Sequence, residues 1–265
     1  MTTVSCGDAA ITAGWPDLVD ELDRWHSAGR VAGLWWRDDD AVATTPCLDR
    51  LLSLAGDAPL ALAVIPADAE PGLAAALATM PQIAVLQHGW RHANHASVGK
   101  KSEFPAGRPH GEVAADLAAG RRRLAALFGT RALPVLVPPW NRFADEFLPL
   151  LTASGIVALS VMARPQRRSP THGIAPLDVE VDLVAWHGGR GFIGEAAALG
   201  GIVAGLGARR RGVTDPDSAR ASSMTGILTH HLVMDDACAA FLRELRPLIE
   251  RHPAARWASV DELLP

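Results

Sequence analysis

The chain contains no tyrosine and only three cysteines, Cys6, Cys47 and Cys238, in 265 residues. The cysteines are scattered without CxxC spacing, which excludes a thiolate zinc cluster and a disulfide framework and fits a reducing compartment. No apolar run reaches the roughly 20 residues of a membrane span. The N-terminus lacks the basic segment and apolar core of a signal peptide. A soluble, cytoplasmic protein with no membrane insertion is therefore expected. Neither sign of charge dominates: the formal net charge is -4, so electrostatics make no case for a nucleic-acid partner. The basic clusters Arg121 to Arg123 and Arg209 to Arg211 read as solvated helix faces or helix C-termini. Neither GxGxxG nor GxxxxGK[ST] follows the first apolar run, which removes the main support for a nucleotide-binding fold. Nothing in the sequence sets an oligomeric state.

What is present is a regular alternation of short apolar runs with longer helical patterns. Strands are expected at VAGLWW (31–36), LALAVI (60–65), IAVLQ (83–87), LPVLV (133–137), IVALSVM (156–162), around 179–186, and at TGILTH (225–230). Helices are expected from Pro16 to Ala28, from Pro46 with Thr45 as cap, and from Pro71 to Met80. Others should run over Glu112 to Phe128, Phe143 to Ala153, Phe192 to Arg209 and Asp235 to Arg251. Residues 93–110 and 163–176 read as loops, and Ser259 to Glu262 as a capping box. Seven or so strands alternating with helices predict an α/β fold with a parallel sheet, closed or open, in a single domain spanning 1–265.

The polar chemistry collects where the apolar runs end. WWRDDD closes the first strand with Asp38, Asp39 and Asp40. QHGWRH closes the third with His88 and His92, PPWNR follows the fourth, DLVAWH lies near the sixth, and THH closes the seventh. A DDD run alone is usually a solvated turn, and a lone HxxxH is common by chance. Carboxylates and imidazoles delivered together to strand ends are the donor set of a divalent metal site that keeps a position open for water, and so of hydrolysis. In a parallel barrel, active-site groups come from the C-terminal ends of several strands.

The order of these motifs resembles the polysaccharide deacetylase family, metal-dependent carbohydrate esterases of family four type built on a distorted (β/α) barrel. Arg37-Asp38-Asp39-Asp40 stands where the family has an apolar strand running into two aspartates, and His88 and His92 match its pair of histidines. Val137 to Arg142 looks like its third motif, Asp182 to Trp186 its fourth and Ile227 to His230 its fifth. The resemblance covers roughly residues 30 to 240. It implies one divalent transition metal, zinc being favoured by mixed N and O donors, held by Asp39, His88 and His92. It further implies Asp38 as general base and His230 as general acid.

Three departures leave alternatives open. The family's glycine after the aspartates is Asp40 here, so Asp39 and Asp40 are an alternative working pair. The arginine that orients the base is Val137, so Arg142 stands as its candidate replacement. His231 stands beside His230 as an alternative acid, and Asp182 as a partner for either. His95 is a spare imidazole that reads as a solvated loop residue. Pro139, Trp140, Asn141 and Trp186 are candidate substrate contacts, although prolines also end strands and tryptophans also fill cores. The expected activity is removal of an acetyl or other acyl group from an amide nitrogen of a sugar, oligosaccharide or related small molecule. A C–N hydrolase acting on a non-sugar amide and a non-catalytic metal- or carbohydrate-binding protein of the same fold are the alternatives.

Overall fold

The computed structural model describes residues 11–163, 172–187, 189–212 and 224–265. Cys6, most of the expected loop 163–176 and Gly188 lie outside them. Nine strands form one sheet: β1 (Ala32–Ala41), β2 (Leu60–Val64), β3 (Ile83–His88), β4 (Ala132–Val137), β5 (Ala158–Leu159), β6 (Ala175–Pro176), β7 (Val181–Asp182), β8 (Met224–Thr229) and β9 (Ala255–Trp257). Their order is β6-β5-β4-β3-β2-β1-β8-β7, with β9 alongside the start of β1, and every pairing is parallel. Strands β6 and β7 are two ends of one extended segment. Its Leu177 N–H bonds Leu159 O at 3.0 Å, and its Glu180 N–H bonds Gly226 O at 2.9 Å. One stretch of chain thus links the two edges of the sheet, giving the α/β distorted barrel expected from the sequence, with seven strand positions around it.

The helices are α1 (Trp15–Ser27), α2 (Pro46–Ala55), α3 (Pro71–Leu77), α4 (His110–Phe128), α5 (Leu148–Ala153), α6 (Glu195–Arg210) and α7 (Asp236–Arg251). Several begin as the sequence directs. Thr45 Oγ1 accepts from Leu48 N–H at 3.1 Å, and Asp235 Oδ1 accepts from Cys238 N–H at 2.8 Å, each satisfying a first-turn donor that has no partner within its helix. The expected Ser259–Glu262 box is present, both Ser259 N–H and Oγ bonding Glu262 Oε1 at 3.2 Å. The fifth expected helix is shorter: residues 145–147 form a 3₁₀ turn, and α5 starts only at Leu148. Arg209 to Arg211 close the C-terminus of α6 and Arg122, Arg123 and Arg211 are exposed, as expected, yet other members of both clusters also tie elements together. Arg121 bonds the carbonyls of Ala132 and Leu133, Arg209 pairs with Glu180, and Arg210 pairs with the buried Glu21 at 2.7 Å. Among the described residues, no helix is long and apolar enough to cross a membrane.

Strand alternation divides the core into an inside and an outside. Leu34, Trp36, Leu62, Val85 and Ile227 pack outward against residues of α1, α2 and α7 such as Leu22, Leu51 and Leu242. Trp35, Ala63, Leu86, Val137 and Leu228 fill the barrel, sealed from its lower end by Ala258, Val260 and Leu263 of the C-terminal segment. Trp35 fits because residue 226 is glycine. A Cβ there would stand 2.5 Å from the indole nitrogen. The same parity sends Arg37 and Asp39 inward and Asp38 outward.

Candidate active site

Strand β1 runs through the carboxylates instead of ending at Trp36, so Asp38, Asp39 and Asp40 lie on its last turn of pleat. Each meets a different environment. Asp38 is fully buried on the outer face, accepting from Thr229 Oγ1 at 2.7 Å and paired with His231 Nδ1 at 2.5 Å. Thr229 in turn accepts from Trp36 Nε1 at 2.9 Å. The two residues that stood as base and alternative acid in the sequence therefore satisfy each other, away from the barrel mouth. Burial raises the Asp38 carboxyl. Burial alone would lower the His231 imidazole, but Asp38 reverses the sign and raises it.

Asp39 points inward and is gripped by Arg37, with Nε to Oδ1 at 2.8 Å and Nη2 to Oδ2 at 3.0 Å. The guanidinium is 0 % exposed. Its remaining donors go to Ser160 Oγ at 2.7 Å and Asn141 Oδ1 at 2.8 Å. One hydrogen bond and one close ion contact to the same guanidinium hold the carboxylate in place. Arg142, the expected replacement for the orienting arginine, instead donates to Lys101 O at 2.7 Å and to no carboxylate of the site. The side chain that holds an inward-facing carboxylate is Arg37, two residues before Asp39, and Asn141 supports it.

Asp40 breaks the alternation. Its φ is 76°, and the β1–β2 register shifts between Asp38 and Ala41. This bulge turns its carboxylate to the mouth beside Asp39 instead of away from it. There Asp40 Oδ1 lies 3.1 Å from His88 Nε2 and 3.4 Å from His92 Nε2. One ligand atom from each of the three residues falls within 4.8 Å of the others. The carboxylate grouped with the histidines is thus Asp40, where the resemblance implied Asp39.

The donor set fits a divalent cation. His88 Nδ1 lies 2.9 Å from Val137 O, which can only accept, so this nitrogen carries a proton and Nε2 is the atom turned to Asp40. Nε2 and Asp40 Oδ1, 3.1 Å apart, are bridged by a second proton on the ring or by a cation in its place. Burial would raise the Asp40 carboxyl, but its bond to His88 and the surrounding imidazoles hold it well below the usual carboxylate range. Burial would lower His88, but Asp39 and Asp40 raise it. His92 is lowered by burial and by His88, which keeps its ring a neutral donor.

Across the mouth, His230 Nε2 lies 3.8 Å from Asp39 Oδ2, and its Nδ1 lies 3.8 Å from Asp182 Oδ1 without a hydrogen bond. Asp182, whose carboxyl is raised by burial, is anchored by Trp186 Nε1 at 2.7 Å and Val184 N–H at 3.0 Å. The Trp186 ring stands edge-on to His230 at 4.7 Å and is 42 % exposed, a wall of the mouth and not core. Trp140 lies 4.4 Å from the His92 ring. Pro139 is buried behind it, and His95 is exposed. A cavity of about 880 Å³ adjoins Asn141, floored by Phe104, Leu159 and Val161 and edged by Lys100 and Arg142.

No protein-family model matches the chain, and no curated protein sequence matches it. Solved structures do. A protein from Mycobacterium smegmatis described as a polysaccharide deacetylase superposes with a TM-score of 0.63 at 18% identity, covering 97% of this chain and 93% of that one. The peptidoglycan N-acetylglucosamine deacetylase Bc1960 gives 0.53 at 14% identity, covering 91% and 95%. A family 4 acetyl xylan esterase from Clostridium thermocellum, solved with a cobalt ion, gives 0.51 at 13% identity, covering 87% and 89%. The fold of this chain is that of the family 4 polysaccharide deacetylases.

Proposed function

We propose that the chain is a metal-dependent hydrolase that removes an acetyl or other acyl group from a sugar or related small molecule, the amide nitrogen being the preferred leaving atom. The observation that carries the reading is the opposition across one mouth of the Asp40, His88 and His92 cluster and the Asp39 and His230 pair. The fold is shared with proteins described as deacetylases and as an acetyl xylan esterase. Asp40, His88 and His92 would hold the metal, and zinc matches their mixed O and N donors. Bound there, a divalent ion supplies Lewis acidity, acidifying water and polarising an acyl oxygen.

The chain's own residues do the rest. Asp39 takes the proton of the attacking water on Oδ2, the oxygen nearer His230, while Arg37 keeps the carboxylate aimed at the mouth and prevents it from rotating. His230 delivers a proton from Nε2 to the departing nitrogen, and Asp182 stands behind its Nδ1 to steady the ring as positive charge develops. Trp186 and Trp140 present flat apolar faces that suit a sugar ring. The cavity beside Asn141 has room for further sugar units.

The test combines metal analysis of the purified protein with acetate release from N-acetylglucosamine, N-acetylated chitooligosaccharides and O-acetylated xylan. About one metal per chain is expected, with acetate release lost on chelation and restored by zinc or cobalt. Metal binding without acetate release from any substrate would favour the non-catalytic binding protein. A metal-free protein would refute both readings.

A further inference from the structure

Both imidazoles of the metal cluster hang on a five-residue loop, and one side chain from outside that loop binds it from behind. Glu103 is fully buried. Its carboxylate is spent on the loop's main chain: Oε1 accepts from Arg91 N–H at 2.8 Å and Oε2 from Trp90 N–H at 3.2 Å. Successive main-chain donors converging on one anion form a nest, and here the anion belongs to the protein. The loop is shaped to admit it. Gly89 has φ +60°, and a Cβ at that position would stand 1.8 Å from Glu103 Oε2, so the carboxylate fills the space that any other residue would need. Next to it, Ser102 O accepts from His95 N–H at 2.8 Å and Asn94 Oδ1 accepts from Ser102 N–H at 3.0 Å, closing a second clasp.

The two histidines depend on this clasp unequally. His88 ends β3, and its Nδ1 is held by Val137 O. His92 closes the loop with a left-handed φ of 54°, a conformation that costs a non-glycine residue energy and persists only where its surroundings impose it. We propose that Glu103 is a positioning residue that imposes it, setting the separation of the His88 and His92 rings and thereby the affinity of the site for a divalent ion. The inference rests on reading Asp40, His88 and His92 as metal ligands. Groups that orient ligands from behind are worth about 10- to 100-fold in metal affinity.

Glu103→Gln keeps the volume but presents an NH₂ group to a backbone N–H, and Glu103→Asp keeps the charge one methylene short of the nest. The experiment measures Zn²⁺ and Co²⁺ affinity of the wild type and both variants by competition with a chromophoric chelator, together with the visible absorption spectrum of each cobalt form and the melting temperature of each metal-free form. Glu103→Gln is expected to bind both ions about 10- to 100-fold more weakly with an altered cobalt spectrum while still melting cooperatively, and Glu103→Asp to fall between it and the wild type. Wild-type affinity and an unchanged cobalt spectrum in both variants would overturn the inference and leave the metal site standing. A wild-type chain that binds neither ion would overturn the metal reading and the inference with it.

Discussion

Asp38, Asp39 and Asp40 are consecutive, chemically identical and built into three separate interactions, so replacing each with asparagine should give three different phenotypes. Asp39→Asn removes the proton acceptor while leaving Asp40 and the histidines in place. General-base help is worth about two to four orders of magnitude in turnover, or about 2.7–5.4 kcal/mol of barrier. Metal content should hardly move, but Arg37 loses its buried counter-charge, so the melting temperature should fall as well. Asp40→Asn removes the carboxylate that meets both imidazoles at 3.1 and 3.4 Å, so metal and activity should be lost together. Asp38→Asn leaves His231 without its buried counter-charge. Breaking such a pair costs about 3–5 kcal/mol, and at about 2–4 °C per kcal/mol for a chain near this size the melting temperature should drop by roughly 6–20 °C. The metal should remain bound. The histidines repeat the contrast: His230→Ala should abolish turnover with little loss of stability, and His231→Ala should behave like Asp38→Asn. Steady-state kinetics, metal analysis and thermal melts on the five proteins separate the cases. If Asp38→Asn loses turnover by a hundred-fold without melting earlier, or if Asp40→Asn retains its metal, the assignment of roles from these geometries is wrong.

Arg37→Met should leave Asp39 buried and unpaired, at a cost of about 3–5 kcal/mol. Arg37→Lys, which keeps the charge without the two-pronged grip, should spare much of that stability yet still lower kcat more than it changes KM; equal kcat in Arg37→Lys and wild type would remove the orienting role. Cys238 is buried, and burial together with Asp235 pushes its thiol up to about 12. Alkylation at pH 8 followed by peptide mass spectrometry should therefore modify the exposed Cys47 and spare Cys238 until denaturant is added; native labelling of Cys238 would contradict its burial in the first turn of α7.

The barrel and the mouth were legible because they rest on periodicity. Apolar runs bounded by turn residues mark β1 to β4 and β8 well, and the chemistry does cluster at their ends. The order within DDD was not legible. Alternation correctly separates Asp38 from Asp39, and counting inward positions from Trp35 through Arg37 would have put Asp39, not Asp38, inside. The bulge that brings Asp40 round to join Asp39 depends on a positive φ, which sequence alone does not disclose at an aspartate. Arg37 was open to detection: a cation inside an apolar strand, two residues before a carboxylate, needs a partner to be buried. Glu103 carried no signal. It lies in a stretch without periodicity, and its two bonds go to main-chain donors that every sequence possesses.

The stretch from Ala175 to Asp182 completes the circumference of the barrel with a handful of main-chain bonds, two residues of ladder at either end. The β4–β5 pairing beside it is equally short, whereas the walls from β4 through β1 to β8 are laddered over longer runs. Spontaneous opening of a protein follows its sparsest hydrogen bonding, so the barrel should breathe along the arc from β5 to β7 before the rest. Asp182 sits at its end, behind His230. The histidine proposed as proton donor is therefore backed by the sparsely bonded arc of the wall, while Asp39, Asp40 and His88 stand on strands laddered over longer runs.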